Sequence, residues 1–353
     1  MDSTSPRRIY LHLPLTNSSS PWATSLEHLS ALYSSPFTGA ITTRTSLIGP
    51  NGFPHDPTIH QYTFLPPKSV PLTSDAQKKF ATAPDSGTRP HLSSPFPVHN
   101  SGAVNTFGYS PYSLSYYLSC LSYLPPPPRE VPIKPVIISI TGSPEDIISG
   151  LESIYIAAEG VPSHMPLWVE INLSCPNIPD KPPPAYDIAE LTEYLHAVAS
   201  WRKQLKENGL SVGKTKIGIK TSPYTYLGQL QTVVGALAAA PDVIDFITAC
   251  NTLGTSLSFL PTGGDYLLGG LSGPSLHPLA LGNVYTLRKL LDEYGSGELS
   301  DVGIIGVGGV CDGRTFGAMR RAGADVVGVG VGVGVQIEGL QMFGMVCYGG
   351  ILQ

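Results

Sequence analysis

The chain has 353 residues, 42% hydrophobic but only 13% charged, with 38 glycines and 34 prolines. That supplies material for one large core or two ordinary ones. A net charge of −5 with scattered Lys and Arg excludes a basic stripe for nucleic acid, and no run reaches the ~18 apolar residues of a membrane span. The five cysteines (Cys120, Cys175, Cys250, Cys311 and Cys347) form neither a C-x-x-C pair nor a His-rich metal spacing, so no metal is expected. An odd count without a framework fits a reducing compartment. The polar start, Met1 to Arg8, lacks the apolar stretch of a secretory signal, and the expected location is the cytoplasm.

Two early apolar runs, Tyr10–Leu15 and Gly39–Thr43, predict short strands. Residues 44 to 134 are rich in Pro, Ser and Gly, include the tract Pro125–Pro128, and are too long for a plain connection. They read as an excursion, at about 48–130, over the active face of a single domain spanning residues 1–353. Within it, residues 66–98 have a disorder-like composition, whereas aromatics cluster over Asn105–Tyr117. After residue 130, β-branched runs at Pro135–Ile140, Leu167–Asn172, Lys216–Lys220, Val243–Thr248, Gly303–Val307 and Asp325–Gly330 alternate with amphipathic stretches. Those stretches are Ile188–Glu207, Leu227–Ala239, Asn283–Tyr294 and Arg314–Ala322. Such alternation predicts a parallel sheet. Eight strands suggest an α/β protein with a (β/α)₈ TIM barrel, and an open doubly wound sheet is the alternative. A Val/Gly alternation covers Val326–Val335.

The turn E-I-N-L-S-C-P-N (Glu170–Asn177) holds two carboxamides, Asn172 and Asn177, the hydroxyl of Ser174 and the thiol of Cys175. Pro176 has no backbone donor and stops the strand, which places the thiol at its C-terminal end, where parallel sheets carry their chemistry. Other strand ends are equally polar: Asn17–Ser19, Arg44–Thr45, Lys220, Asn251–Thr252, Gly308–Gly309 and Gly330. Glycines after the last two strands expose backbone N–H groups and predict a phosphate cradle. An ammonium ending the apolar strand of Lys220 needs a partner or a route to the rim.

With these residues on the page, the chain resembles the family 1 dihydroorotate dehydrogenases, particularly the soluble 1A type. The resemblance rests on E-I-N-L-S-C-P-N-I-P-D-K-P with Tyr186–Asp187, then G-I-K-T-S-P-Y (218–224), A-C-N-T-L-G (249–254), L-G-G-L-S-G (268–273) and I-I-G-V-G-G-V (304–310), in that order. Weaker likeness covers 14–20, 39–46 and 103–109. It implies an FMN-binding barrel that oxidises (S)-dihydroorotate to orotate in pyrimidine (UMP) synthesis, with fumarate as acceptor and a homodimeric state. It further implies Cys175 as the base for the C5 proton, with its pKa modestly lowered from the free-thiol value of ~8.5. Asn105, Thr106, Phe107, Gly108, Tyr109, Asn172, Asn177, Asn251 and Thr252 would contact substrate. Ser19, Thr45, Asn172, Lys220, Cys250, Gly273, Gly308, Gly309, Gly330 and Val331 would contact FMN.

Arg44 stands where the 1A enzymes have a lysine and is assigned to both substrate and flavin. Ser18 and Ser20 replace the usual Ala and Gly at positions that the resemblance puts near the isoalloxazine. Phe107, Tyr109 and Ser110 replace Met, Leu and Pro, and Val331 replaces a phosphate-side Thr. Cys175 in place of Ser, and the absence of an N-terminal anchor, argue against the quinone-linked type 2. Two further readings stay open at this point: a non-redox barrel enzyme that holds a substrate phosphate on the glycine turns, and a non-catalytic paralogue.

Overall fold

The computed structural model describes residues 9–65, 102–178, 182–210, 213, 215–259, 265–294 and 299–330. Its strands are β1 (Leu15–Asn17), β2 (Ile41–Thr42), β3 (Ser46–Leu47), β4 (Tyr62–Leu65), β5 (Gly102–Asn105), β6 (Val136–Thr141), β7 (Leu167–Asn172), β8 (Ile217–Lys220), β9 (Phe246–Ala249), β10 (Leu253–Phe259), β11 (Tyr266–Ser272), β12 (Gly303–Val307) and β13 (Val326–Val329). Its α-helices are α1 (Leu26–Tyr33), α2 (Leu114–Cys120), α3 (Pro144–Gly160), α4 (Ile188–Glu207), α5 (Leu227–Ala239), α6 (His277–Glu293) and α7 (Gly313–Arg321). All pairings in the main sheet are parallel, in the order β1-β13-β12-β9-β8-β7-β6-β2, with β3 continuing beside β6. This is the TIM-barrel architecture, and the doubly wound alternative is set aside.

The period of two along each strand sorts the core into two layers. On β7, Leu167, Val169 and Ile171 join the large cluster under the helices, while Trp168 belongs to a smaller cluster inside the barrel. Ile137, Phe246, Ile305, Val307 and Val326 share that interior. Gly218 on β8 makes room for the Phe246 ring, because a Cβ there would lie 2.3 Å from its edge. The inward positions nearer the strand ends are polar: Ser139, Glu170, Asn172 and Lys220 are all buried.

The strand ladder leaves one gap, between β1 and β2, and the Asn17 side chain is the chief tie across it. Asn17 donates from Nδ2 to Thr42 O at 2.6 Å and accepts the Thr42 N–H on Oδ1 at 2.8 Å, as a peptide group on a neighbouring strand would. Gly39 N–H adds a bond to Leu15 O at 2.8 Å.

The first strand lies later than the expected Tyr10–Leu15. Ile9 and Leu11 are apolar because they plug the barrel interior, not because they pair in the sheet. Helix α6 starts at His277, six residues before the expected Asn283, since Pro278 sits in its first turn, where no N–H is needed. Helix α3 was not anticipated, although Ser143 and Asp146 form its capping box at 3.2 and 3.0 Å. The second sheet was also unanticipated: β10-β11-β5-β4, all antiparallel. It gives the excursion and the segment after β9 a common frame. One face of its outer hairpin exposes the pairs Leu257–Leu268 and Phe259–Tyr266. The rest of the excursion, residues 66–101, lies outside the described residues, as do Cys347 and the Val/Gly alternation beyond Gly330. Among the described residues, no helix is long and apolar enough to cross a membrane.

The seam gives a stability prediction. Asn17→Leu keeps the volume but strands the Thr42 N–H and C=O in a dry site. Urea unfolding should show a loss of about 2–4 kcal/mol, the cost of leaving two buried groups unpaired. A change below about 0.5 kcal/mol would mean that the carboxamide does not close the barrel.

Candidate active site

One cleft of about 1270 Å³, counting its open mouth, lies over the C-terminal ends of the barrel strands. Its wall includes Ser19, Arg44, Thr45, Asn105, Phe107, Gly108, Tyr109, Asn172, Cys175, Asn177, Lys220, Cys250, Asn251, Thr252, Gly273, Gly308, Gly309 and Gly330. One described residue expected in the site, Thr106, is not in its wall. Thr106 turns its hydroxyl to Ile59 O and to the Gln61 N–H, tying β5 to the chain before β4. Val331 lies outside the described residues.

The floor is a polar layer built from strand ends. Thr45 Oγ1 lies 2.9 Å from each of Ser19 Oγ, Ser139 Oγ and Asn172 Nδ2. Ser139 donates onward to Glu170 Oε1 at 2.9 Å. Asn172 Oδ1 accepts from the Ser174 hydroxyl at 2.9 Å and from its N–H at 3.2 Å, which folds the turn that presents Cys175. Asn251 holds the same turn from β9, donating to Ser174 O at 3.1 Å and Ser174 Oγ at 3.0 Å. Asn177 reaches the excursion, donating to Phe107 O at 2.9 Å and to Asn105 O at 3.2 Å. Asn105 in turn donates to Gly270 O at 3.2 Å, which locks the loop to β11.

Two cations are buried here. Lys220, 3% exposed, reaches across the barrel mouth from β8 and donates to Ser18 Oγ at 3.3 Å. Arg44, 8% exposed, does not point to solvent. Its guanidinium donates to Gly108 O at 3.1 Å and Thr24 Oγ1 at 3.4 Å and lies 5.7 Å from the Phe107 ring centre. Burial pulls its pKa down to about 10, so it stays charged at neutral pH. Among the described residues, no carboxylate forms an ion pair with either cation. Buried charge of one sign without a counter-ion is the signature of a site for an anion or an electron-rich ring.

Cys175 is half-buried at the cleft floor. Burial pushes its thiol above the ordinary value, opposed by the Asn177 backbone N–H and by the positive charges of Lys220 and Arg44. This corrects the sequence expectation of a lowered thiol, because desolvation outweighs the nearby cations. Tyr109 covers it; burial, and to a lesser degree Cys175, push the phenol well above its usual value. Phe53 packs edge-on against Tyr109 at 5.6 Å, so the excursion braces this loop from outside. Cys250 is inert by contrast, its thiol pushed up to about 12 by burial.

At the opposite end, Gly273, Gly308 and Gly309, all in the cleft wall, have φ of 76°, 135° and 67°, conformations that suit glycine. A Cβ on Gly330 would meet nothing within 4 Å, so this strand end opens into the cleft. Sequence reading did not find Trp22, Tyr62, Pro176, Ser272, Leu276, Val310 or Cys311, which also line it. Trp22 and Tyr62 carried no motif; their pairing at 6.2 Å is a tertiary event.

The comparisons agree with this geometry. The family model described as dihydroorotate dehydrogenase matches residues 96–349. A dihydroorotate dehydrogenase (fumarate) of Trypanosoma cruzi is 28% identical over 273 residues, covering 75% of this chain and 76% of its own. A protein of the same name from Trypanosoma brucei brucei is 27% identical over 236 residues, covering 65% of this chain and 66% of its own. The crystal structure of a ligand-free DHODH from Eimeria tenella superposes with a TM-score of 0.60 at 15% identity, covering 99% of this chain and 86% of that one, a likeness of fold. The chain belongs to the dihydroorotate dehydrogenase family.

The thiol can be tested directly. Alkylation of Cys175 by iodoacetamide, followed by peptide mass spectrometry, should accelerate with pH along a curve displaced above that of an exposed cysteine peptide. Lys220→Met removes a positive neighbour and should displace the curve further up. A curve at or below the peptide's would contradict the burial effect.

Proposed function

We propose that this protein oxidises (S)-dihydroorotate to orotate with non-covalently bound FMN, serving pyrimidine (UMP) synthesis, and that fumarate is the final electron acceptor. The observation that carries this reading is the convergence of Cys175, Lys220, Arg44 and the carboxamides of Asn105, Asn172, Asn177 and Asn251 in one cleft of a chain of this family. The residues present fit FMN: a glycine-bearing end with an open strand terminus suits a phosphate, and the uncompensated ammonium of Lys220 suits the electron-rich side of a reduced ring.

When bound, FMN supplies the two-electron oxidant that takes the hydride leaving C6 of the substrate. Gly273, Gly308, Gly309 and Gly330 would hold its phosphate side, with Ser19, Thr45, Asn172, Lys220 and Cys250 around the ring. Cys175 Sγ, as thiolate, takes the proton from C5. Lys220 and Arg44 lower the energy of that thiolate and of the negative charge that develops on the substrate carbonyl. Asn105, Asn172, Asn177, Asn251 and Thr252 orient the pyrimidine ring, whose carbonyls and N–H groups match carboxamides. Arg44 offers its planar fork to the substrate carboxylate. Phe107, Gly108 and Tyr109 cover the site from the excursion, and Thr106 acts from behind by fixing the loop's root.

Denaturing the purified protein should release about one FMN per chain, as the barrel offers one phosphate site. Anaerobic dihydroorotate should bleach that flavin. Cys175→Ala should slow bleaching by about 10²–10⁴-fold while leaving flavin in place. Because burial raises the thiol, the wild-type rate should climb as pH rises above neutrality. Bleaching at equal rates in variant and wild type would reduce Cys175 to a packing residue.

Arg44 has its own test. Orotate titrated against the bound-flavin spectrum should bind Arg44→Ala about 2–5 kcal/mol more weakly, the loss typical of a desolvated charge pair. Arg44→Lys should fall between the two, and unchanged affinity in Arg44→Ala would remove Arg44 as the carboxylate clamp.

A further inference from the structure

The turn after β12 is pressed against the start of α6. A Cβ on Gly308 would come within 2.4 Å of Ala280 Cβ, and one on Gly309 within 2.7 Å of His277 Cβ and 2.6 Å of Gly273 O. Only bare backbone fits there, so the turn takes its position from the helix. His277, the first residue of α6, adds a polar tie: its Nδ1 lies 2.7 Å from Gly308 O. A carbonyl oxygen can only accept, so Nδ1 carries the proton and Nε2 is the acceptor nitrogen. Nε2 is buried and has no partner among the described residues. The one polar contact of this ring is therefore with the glycine turn.

The direction of that contact decides what the turn can offer. The Gly308–Gly309 peptide is trans. Across a trans peptide the C=O and the following N–H point opposite ways. With Gly308 O drawn toward His277, the Gly309 N–H is turned away from the ring. His277 is not in the cleft wall, whereas Gly308 and Gly309 both are. Among the described residues, no group accepts the Gly309 N–H.

We propose that His277 is a positioning residue for the phosphate end of the cleft: by holding Gly308 O, it fixes the Gly309 N–H as a donor to the phosphate of FMN. The assignment rests on the FMN reading given above. The imidazole touches no ligand and acts through the Gly308 carbonyl. Glycine explores more backbone conformations than any other residue, and two in succession leave this peptide free to rotate unless something anchors it. An anchored donor spares the ligand the cost of ordering the turn on binding.

The test uses the full chain in its apo form, titrated with FMN or with riboflavin, which has the same ring system but no phosphate, and followed by flavin fluorescence quenching. His277→Phe keeps a ring and removes the donor, while His277→Asn keeps an amide N–H near the place of Nδ1. His277→Phe should bind FMN about 3- to 10-fold more weakly, the range of one neutral hydrogen bond, with riboflavin affinity unchanged. His277→Asn should recover most of that loss. Equal weakening toward FMN and riboflavin would overturn the proposal, because a packing defect does not tell the two flavins apart. Unchanged FMN affinity in His277→Phe would overturn it as well, and so would His277→Asn binding no better than His277→Phe. If His277→Phe does not fold, His277→Ala carries the same expectations. If wild-type protein takes up no FMN, the dihydroorotate reading falls together with this assignment, whereas FMN uptake that is insensitive to residue 277 removes the assignment alone.

Discussion

The barrel closes through side chains as much as backbone: Asn17 makes two of the bonds across the seam, beside the Thr16 hydroxyl to Ala40 O and the Gly39 N–H to Leu15 O. The hydrogen-bonded path runs from β1 through the other parallel strands to β2 and stops, and Asn17 spans the remaining gap by pairing with both backbone groups of Thr42. A sheet with edges would splay there, and the turn from Ser18 to Trp22 would lose its place beside Arg44 and Thr45. Closure also sets the interior volume, which Trp168 and Phe246 fill at one level only because residue 218 has no side chain. Above that apolar plug the lining turns polar. The site is the part of the barrel that side chains do not fill.

The electrostatics of that space follow from what it lacks. Lys220 and Arg44 are desolvated and bonded to neutral oxygens, and the nearby Glu170 accepts from Ser139 rather than pairing with either. A carboxylate beside either cation would cancel the field that the chemistry needs. The same burial that makes the cations strong makes the thiol reluctant to ionise, and the raised value of Cys175 records desolvation winning over two favourable charges. Catalysis by such a thiol depends on the substrate and the two cations together lowering the cost of charge separation.

Much of this was legible because parallel strands buried on both faces read as apolar runs, and because their C-terminal ends carry the polar residues. Helices α4 and α5 kept their expected bounds, α4 sharply because Asp187 caps it through the Ala189 and Glu190 N–H groups. Where the reading slipped, another role imitated the signal. The run Tyr10–Leu15 looked like a strand, yet Leu11 serves as a plug and pairing begins only at Leu15, and helix α6 begins six residues before the expected Asn283. The second sheet escaped notice because β10 and β11 are rich in Gly and Ser and partly exposed, while β4 and β5 are only four residues long. In the site, residues with a chemical type suited to their place were found. Trp22 was not assigned, because it carries no motif and reaches the cleft wall only through the folded arrangement.

The unpaired cations also bear on the life of the protein. A fold that buries two positive charges without a carboxylate partner carries a desolvation cost, which an electron-rich ligand offsets. By mass action, any ligand that binds only the folded chain adds RT ln(1 + [L]/Kd) to its stability. The folded fraction therefore rises with ligand supply, and unliganded chains are the ones most exposed to proteases and aggregation. Abundance of the protein would thus follow the availability of whatever fills the cleft, a form of supply control that needs no regulatory site.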